Sequence, residues 1–183
     1  MIESIITSKT RIKLLLKFFL NNKTQSYLRN LEAEFGENSN AIRVELNRLE
    51  NAGLLTSALA GNKKMYMANV AHPLYNDIHN IMYKMVGIDQ VIERVTSQIG
   101  ELEAAYLTGS FAQGRNSKII DLVLVGEYMD RDYINKLVRK VEQLINRKIR
   151  TIILSGNELK DYFGDTPILL IWKKDKIENI SQA

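Results

Sequence analysis

Hydrophobic residues recur at three- and four-residue steps in three successive stretches near the start of the chain. The steps are carried by Ile12, Leu15, Leu16 and Phe19, then by Leu28, Leu31 and Phe35, and then by Ile42, Leu46 and Leu49. This spacing is typical of amphipathic helices that bury one face. Gly36 and Gly53 follow the second and third stretches, and Asn38 or Ser39 precedes the third as an N-cap. The pattern predicts three short helices within residues 8–55.

The period then changes from helical to strand-like. Two β-capable stretches flank the turn Gly61-Asn62-Lys63-Lys64, which predicts a hairpin with a basic tip. From Pro73 to about residue 100 the helical period returns, and the proline suits a first helical turn. This segment is predicted to be a helical connector.

Beyond residue 100 strands and helices alternate. The pattern predicts strands at 104–108, 119–125 and 149–154, a helix at 131–146, and short helical pieces at 156–163 and 166–174. Such alternation favours a mixed sheet covered by helices. The whole chain is therefore predicted to be α+β in class, with three parts: residues 1–72, the connector 73–100, and a mixed α/β domain at 101–183.

The amino-acid composition indicates the kind of environment in which the protein works but indicates no function. The 183 residues are 45% hydrophobic, carry a formal net charge of +4 and include no cysteine. A packed core is expected, and the lack of cysteine fits a reducing cytoplasm. Lys13 and Lys17 interrupt the first apolar stretch, so it is predicted to be an amphipathic helix of a protein without membrane contact.

The third predicted helix has a surface suited to reading DNA bases. Asparagine and arginine form paired hydrogen bonds with adenine and guanine edges, and lysines contact phosphates. The candidate DNA-binding residues are Ser39, Asn40, Arg43, Val44 and Asn47 on the helix and Lys63 and Lys64 at the hairpin tip. Glu37, Glu45 and Glu50 lie close in sequence and would reduce the positive field.

Residues 8–76 resemble the winged helix-turn-helix domains of ArsR/MarR-type bacterial regulators. The resemblance is carried by "YLRNLEAEFG", by "NSNAIRVELNRLENAGLL" and by the hairpin "ALAGNKKMYMANVAHPLY". It implies sequence-specific binding of double-stranded DNA by a homodimer on a palindromic site. The alternative is a winged helix that serves only to contact another protein.

The stretch "YLTGSFAQGRNSKIIDLVLVG" has the parts of a phosphate-handling site. A Gly-Ser turn offers backbone N–H groups and a hydroxyl to phosphate, and nucleotidyl transfer uses two divalent cations held by several carboxylates. Only Asp121 occupies such a position, because Ile119 and Val123 stand where a second aspartate would be. On the next strand Arg150 and Thr151 occupy the plausible positions of a third carboxylate.

The same stretch resembles the minimal nucleotidyltransferases, which carry Gly-Ser, a loop, and Ser-Asp-Ile-Asp-Leu. Gly109, Ser110 and Asp121 match that form, and the missing aspartate leads us to expect a degenerate domain that is not an enzyme and holds no metal. These three residues are then candidates for binding a phosphorylated ligand, with Arg115 and Lys118 as nearby charge partners. No cofactor is expected, although nucleotide or Mg²⁺ binding stays open as an alternative.

The two resemblances occur together in a prokaryotic group of transcriptional regulators. They imply a cytoplasmic, homodimeric, DNA-binding regulator whose second domain senses a phosphorylated ligand or docks a protein partner. Two alternatives remain: a nucleotidyltransferase acting on a protein or small molecule, and a scaffold in which neither site binds its usual ligand. The operator, the regulated genes and the sign of regulation do not follow from the sequence.

Overall fold

The first half of the protein contains three helices, a hairpin and two further helices. A computed structural model describes residues 6–95, 98–99 and 102–174. The elements are α1 (Lys9–Phe19), α2 (Leu28–Phe35), α3 (Ser39–Asn51), β1 (Leu55–Ala60), β2 (Lys63–Ala68), α4 (Tyr75–Val86) and α5 (Ile88–Val95). No helix in the described part of the chain is long and apolar enough to cross a membrane.

The helix ends follow the capping residues of the sequence. Ser8 accepts a hydrogen bond from the Arg11 amide at 3.2 Å before α1, and Asn38 accepts one from the Asn40 amide at 2.8 Å before α3. Gly36 ends α2 in the left-handed conformation. These contacts satisfy backbone groups that a helix end leaves without a partner.

The hairpin is attached to the segment that joins α1 and α2. Ser26 and Tyr66 exchange backbone hydrogen bonds of 3.1 and 2.8 Å, which adds a single bridge to the outer side of β2. Leu55 and Tyr66 turn their side chains into the same core as the helices. The hairpin therefore has a defined position beside α2 and α3.

The second half is a four-stranded mixed sheet with helices. Its elements are β3 (Leu102–Thr108), α6 (Gly109–Ala112), β4 (Ile119–Gly126), α7 (Arg131–Ile145), β5 (Lys148–Leu154), α8 (Glu158–Phe163) and β6 (Leu169–Lys173). The strand order is β5-β4-β3-β6, with β4 and β5 parallel and the other pairs antiparallel. The α7 crossover makes the parallel pair feasible. This confirms the predicted α+β class with a mixed sheet.

One predicted element is wrong. The stretch 166–174 was expected to be helical, yet Leu169–Lys173 forms β6, which pairs with β3. The short apolar run "ILLIWKK" fits either period when taken alone. Strand pairing decides its conformation, because the edge of β3 offers backbone hydrogen bonds that a short helix at that position would leave unmade.

The two halves share one hydrophobic core. Its buried residues include Phe18 and Phe19 of α1 as well as Phe111 of α6. The predicted boundary after residue 72 stays a prediction, and the one at residues 100 and 101 lies outside the described residues. The last nine residues of the predicted third part are also outside them.

The end of α1 lies directly on the loop that follows α6. The buried Lys17 ammonium donates to the Gln113 carbonyl at 2.9 Å and to Glu34 of α2 at 2.7 Å, and the Asn21 amide donates to the Ala112 carbonyl at 2.6 Å. Gly114 has φ of 68°, and a Cβ on it would lie 2.2 Å from the Lys17 carbonyl oxygen. Only glycine therefore permits this approach of two backbones.

We predict that Gly114→Ala destabilises the protein far more than Gly36→Ala. Both glycines have a positive φ, but a Cβ at Gly36 meets nothing within 4 Å, so the control carries the backbone strain alone. The clash at Gly114 should lower the free energy of unfolding by about 2 kcal/mol beyond that control. Urea denaturation followed by circular dichroism measures both losses. Equal losses would show that α1 and the loop do not pack as described.

Candidate nucleic-acid interface and Gly-Ser site

Helix α3 separates a buried face from an exposed one. Ile42, Leu46 and Leu49 are at most 5% exposed and anchor the helix to the core. The predicted DNA-binding residues lie on the other side: Asn40, Arg43, Val44 and Asn47 are exposed, and Ser39 is partly exposed. The helix therefore presents asparagine and arginine side chains to solvent on a rigidly held face.

A cleft of about 510 Å³ lies between α3, the start of α2 and the hairpin. It is lined by Tyr27, Leu28, Arg29, Arg43, Leu46, Asn47, Asn62, Lys63, Lys64 and Tyr66. The structure thus brings four predicted residues, Arg43, Asn47, Lys63 and Lys64, to one concave surface. Arg29 and Asn62 also line the cleft but were not predicted from the sequence. The position of Arg29 in the first turn of the second helix could have indicated a phosphate contact.

The two hairpin lysines have different surroundings. The Lys63 ammonium lies 4.6 Å from the centre of the Tyr27 ring. Lys64 forms an ion pair of 2.7 Å with Glu50, and that hydrogen bond raises the pKa of Lys64. In these contacts the charge of Lys64 is balanced by a carboxylate, whereas that of Lys63 faces an aromatic ring.

The three glutamates near α3 are each engaged by donors. Glu45 accepts from Arg11 at 2.8 Å, from Ser8 at 3.0 Å and from Arg48 at 3.1 Å. Burial raises the pKa of Glu45, but the hydrogen bonds and charges of these partners outweigh it and lower the pKa overall. Glu37 pairs with Lys13, and Glu50 pairs with Lys64. The acidic residues are neutralised locally, which leaves Arg29, Arg43 and Lys63 to set the charge of the cleft.

The Gly-Ser turn follows β3 and lies over the start of β4. Thr108 pairs with Asp121 across the two strands, and Gly109 has φ of 61°. A Cβ on Gly109 would be 2.5 Å from the Asp121 carboxylate oxygen Oδ2. The structure thus brings together two of the predicted phosphate-site residues, with Ser110 next in sequence.

Arg150 is the charge partner of Asp121. The parallel register places Arg150 beside Asp121, and its Nε and Nη2 atoms contact Oδ1 at 2.6 and 2.5 Å. Arg115 and Lys118 were expected in that role. Instead Arg115 contacts the Gln113 side chain, and Lys118 lines a separate cleft with Arg139 and Arg147. In the sequence Arg150 stands where a third carboxylate would be, and only the parallel strand register places it beside Asp121.

The described residues at this site do not fit two divalent cations. Val123 is buried and Ile119 is apolar, so neither neighbour of Asp121 on its face can ligate a metal. Among the described residues, no group of three or more His, Cys, Asp or Glu side chains could hold a metal ion. The Arg150 guanidinium already occupies one carboxylate oxygen of Asp121.

Comparisons with known proteins place the chain in no family. No protein-family model matches it, and no curated protein matches it. One similar solved structure is a "putative nucleotidyltransferase" from Sulfolobus solfataricus, with 26% identity over 50% of this chain and 82% of that chain and a TM-score of 0.37. At this TM-score the two folds superpose only loosely.

The expectation that the chain is not an enzyme is corrected: the similar solved structure is described as a "putative nucleotidyltransferase", and nothing at the site of this chain excludes activity. That expectation rested on the number of aspartates in one strand. Such a number does not decide activity, since substrate phosphate oxygens and water complete the ligand sets of ions held by one or two carboxylates. The lone Asp121 is a property of the site and excludes no reaction by itself.

We predict that Glu45→Gln destabilises the protein by about 1–3 kcal/mol at pH 7. The pKa of Glu45 is lower in the folded protein than in the unfolded chain, so its stabilisation exists above the unfolded-state pKa. That stabilisation is lost as the pH falls through the folded-state pKa. The difference between wild type and variant should therefore shrink below about pH 4. Urea denaturation at pH 7 and pH 3 checks this, with the partly exposed Glu32→Gln as control; a constant difference would contradict it.

Proposed function

We propose that this protein binds double-stranded DNA in a sequence-specific manner and acts as a transcriptional regulator. The observation that carries the proposal is the cleft in which the exposed face of α3 meets the hairpin. In this proposal the first half acts as a winged helix-turn-helix, with α3 as the recognition helix and the β1–β2 hairpin as the wing. A major groove about 12 Å wide accepts one helix of this kind.

Base readout falls to α3. Arg43 and Asn47 are one helical turn apart on its exposed face, so both side chains can reach base edges from the same groove. Arginine suits guanine and asparagine suits adenine, each through two hydrogen bonds. Asn40 and Ser39 lie at the N-terminal end of the helix, where base contacts concentrate in this class of domain.

Phosphate contacts fall to the rim of the cleft. Lys63 on the wing and Arg29 at the start of α2 are both exposed and both line the cleft. Such contacts fix the register of the protein on the duplex and make binding depend on salt. A homodimer would present two recognition helices to a palindromic site, which is the arrangement that we propose for the full regulator.

As a second candidate function we propose nucleotidyl transfer to a protein or small molecule at the Gly-Ser site. The observation that favours it is the close approach of Gly109 to the Asp121 carboxylate beside Arg150, which leaves no room for a Cβ on residue 109. The Arg150 side chain is 68% exposed, and together with the Ser110 hydroxyl it is a donor suited to phosphate oxygens. Binding of a phosphorylated ligand without transfer is the simpler use of the same groups.

We predict that Arg43→Ala weakens binding to a selected DNA site by about 5- to 150-fold, because one bidentate base contact discriminates by about 1–3 kcal/mol. A genomic selection with the wild-type protein should first recover a palindromic motif, and fluorescence anisotropy then measures each variant. Arg94→Ala, an exposed arginine of α5 outside the cleft, is the matched control. Lys63→Ala should instead weaken all sequences alike and reduce the salt slope by about 1.

The DNA proposal fails if selection yields no motif and binding is equally sensitive to salt on every sequence. It also fails if Arg94→Ala and Arg43→Ala lose affinity to the same extent. Circular dichroism of both variants confirms that the fold is intact.

The transferase proposal predicts that nucleotide labelled at the α-phosphate becomes attached to a protein or small-molecule acceptor. Each of the four ribonucleoside triphosphates is incubated with the purified protein, Mg²⁺ and a cell extract. Asp121→Ala should abolish the label, whereas Glu127→Ala, an exposed carboxylate beyond the end of β4, should leave it unchanged. Absence of label with the wild-type protein, or label retained in Asp121→Ala, would refute transfer at this site.

A further inference from the structure

The cleft that contains Lys118, of about 510 Å³, lies between α7 and the starts of β4 and β5. Its lining consists of Lys118, Arg139, Glu142, Gln143, Asn146, Arg147 and Lys148. Four of these residues are basic, one is acidic and none is apolar. Small-molecule sites are mostly apolar, so this lining does not suit a ligand of that kind. The cleft shares no lining residue with the cleft at α3 or with the pocket around Asp121.

The fold holds the basic residues of this cleft next to one another. The Lys148 amide donates to the Lys118 carbonyl at 2.9 Å, where the parallel strands β4 and β5 begin. Arg147 precedes β5, and its Nη1 atom donates to the Asn116 side chain at 2.8 Å and to the Ser117 carbonyl. The positive charges therefore come from separate elements whose backbones are fixed relative to one another.

The carboxylate of the cleft is engaged within the fold. Glu142 accepts from the Ile149 amide at 2.8 Å and from the Lys148 ammonium at 3.4 Å, and its side chain is only 17% exposed. Lys118 and Arg139 are exposed, and neither forms an ion pair with a residue that the structure describes. The cleft therefore has an excess of positive charge, which attracts anions.

The positive surface continues along α7. Lys136, Arg139, Lys140 and Gln143 follow one another at three- and four-residue steps and are all exposed, so they share one face of the helix. At 1.5 Å per residue this row is about 10 Å long, and the cleft extends it beyond the helix end. Asp132, in the first turn of α7, marks the other end of the row. We call the row and the cleft together the α7 basic surface.

The shape and lining of the α7 basic surface favour one class of anion. A surface of this length suits a chain of phosphates, whereas a lone phosphate would use only part of it. A membrane-binding helix inserts its apolar face, but the apolar face of α7 is buried in the core through Ile134, Leu137, Val138 and Val141. Single-stranded nucleic acid is bound by stacking of bases on aromatic side chains, and none of the seven lining residues of the cleft is aromatic.

We propose that the α7 basic surface binds the phosphate backbone of double-stranded nucleic acid without reading its sequence. Lysine and arginine are the side chains that make such contacts. The DNA contacts proposed above all lie in the first half of the protein, whereas this surface lies in the second half. It therefore adds a backbone contact that does not depend on base readout by α3.

The test measures binding of a short duplex of random sequence to the full-length protein, by fluorescence anisotropy over a range of salt concentrations. The variant with Lys118→Gln, Arg139→Gln and Lys140→Gln should reduce the slope of log affinity against log salt by about 1 for each lost phosphate contact. Each substitution is at an exposed position, and circular dichroism confirms that the fold is intact.

The matched control carries Lys84→Gln, Arg94→Gln and Lys160→Gln. It also removes two exposed lysines and one exposed arginine, but from α4, α5 and α8, so both variants have the same net charge. The control should keep the wild-type slope, because a difference between the variants reports where the charges lie and not how many there are.

Equal slopes for the two triple variants would overturn the proposal. Two further results would also overturn it: a single strand of the same length that binds as tightly as the duplex, or tripolyphosphate that displaces the duplex at the same concentration of phosphate groups. The random sequence removes base readout from the measurement. A failure of motif selection at α3 is therefore seen separately from a failure of the α7 basic surface.

Discussion

The buried ammonium group of Lys17 joins the two halves of this protein. It donates to Glu34 of α2 and to the Gln113 carbonyl in the loop after α6, and Gly114 next to that carbonyl permits the backbones to touch. Removing one partner of a buried ion pair leaves the other charge without compensation, which is far more costly than replacing both. The position of the helical half on the sheet depends on this contact.

Ion pairs also determine the charge of the surface around α3. Glu45 lies on the buried side of α3 and pairs with Arg48 of the same helix and with Arg11 of α1. An ion pair therefore joins α3 to α1, in addition to the packing of its apolar face. These pairings remove the acidic character that the sequence of α3 suggests. The exposed surface that remains carries asparagine and arginine side chains beside one lysine of the hairpin, and the proposed DNA contacts rest on these residues.

In the sheet half, the backbone of the Gly-Ser turn and the charged side chains beside it favour different kinds of site. Gly109 approaches the Asp121 carboxylate closely, and the neighbour of Asp121 on the parallel strand is Arg150. An arginine at that position offers a fixed, permanently charged fork in the place where a metal-based site has a carboxylate. Any phosphate chemistry there therefore depends on Arg150 and Ser110 as donors, and the site differs from the two-cation arrangement that its sequence resembles.

The sequence by itself determined the helices and strands that a short, regular spacing of apolar residues specifies. The three helices, the hairpin, α7 and the first strands follow from spacing and caps, and Asp121 was recognised as a lone carboxylate because that statement needs only the order of residues. Tertiary structure decided the rest. Leu169–Lys173 became a strand because β3 offered an edge, and Lys17, an interrupting charge in the sequence, became a buried bridge. Arg150 met Asp121, and Glu34 was left with one unpartnered oxygen among the described residues, because contacts between distant segments are set by packing, which no local pattern encodes.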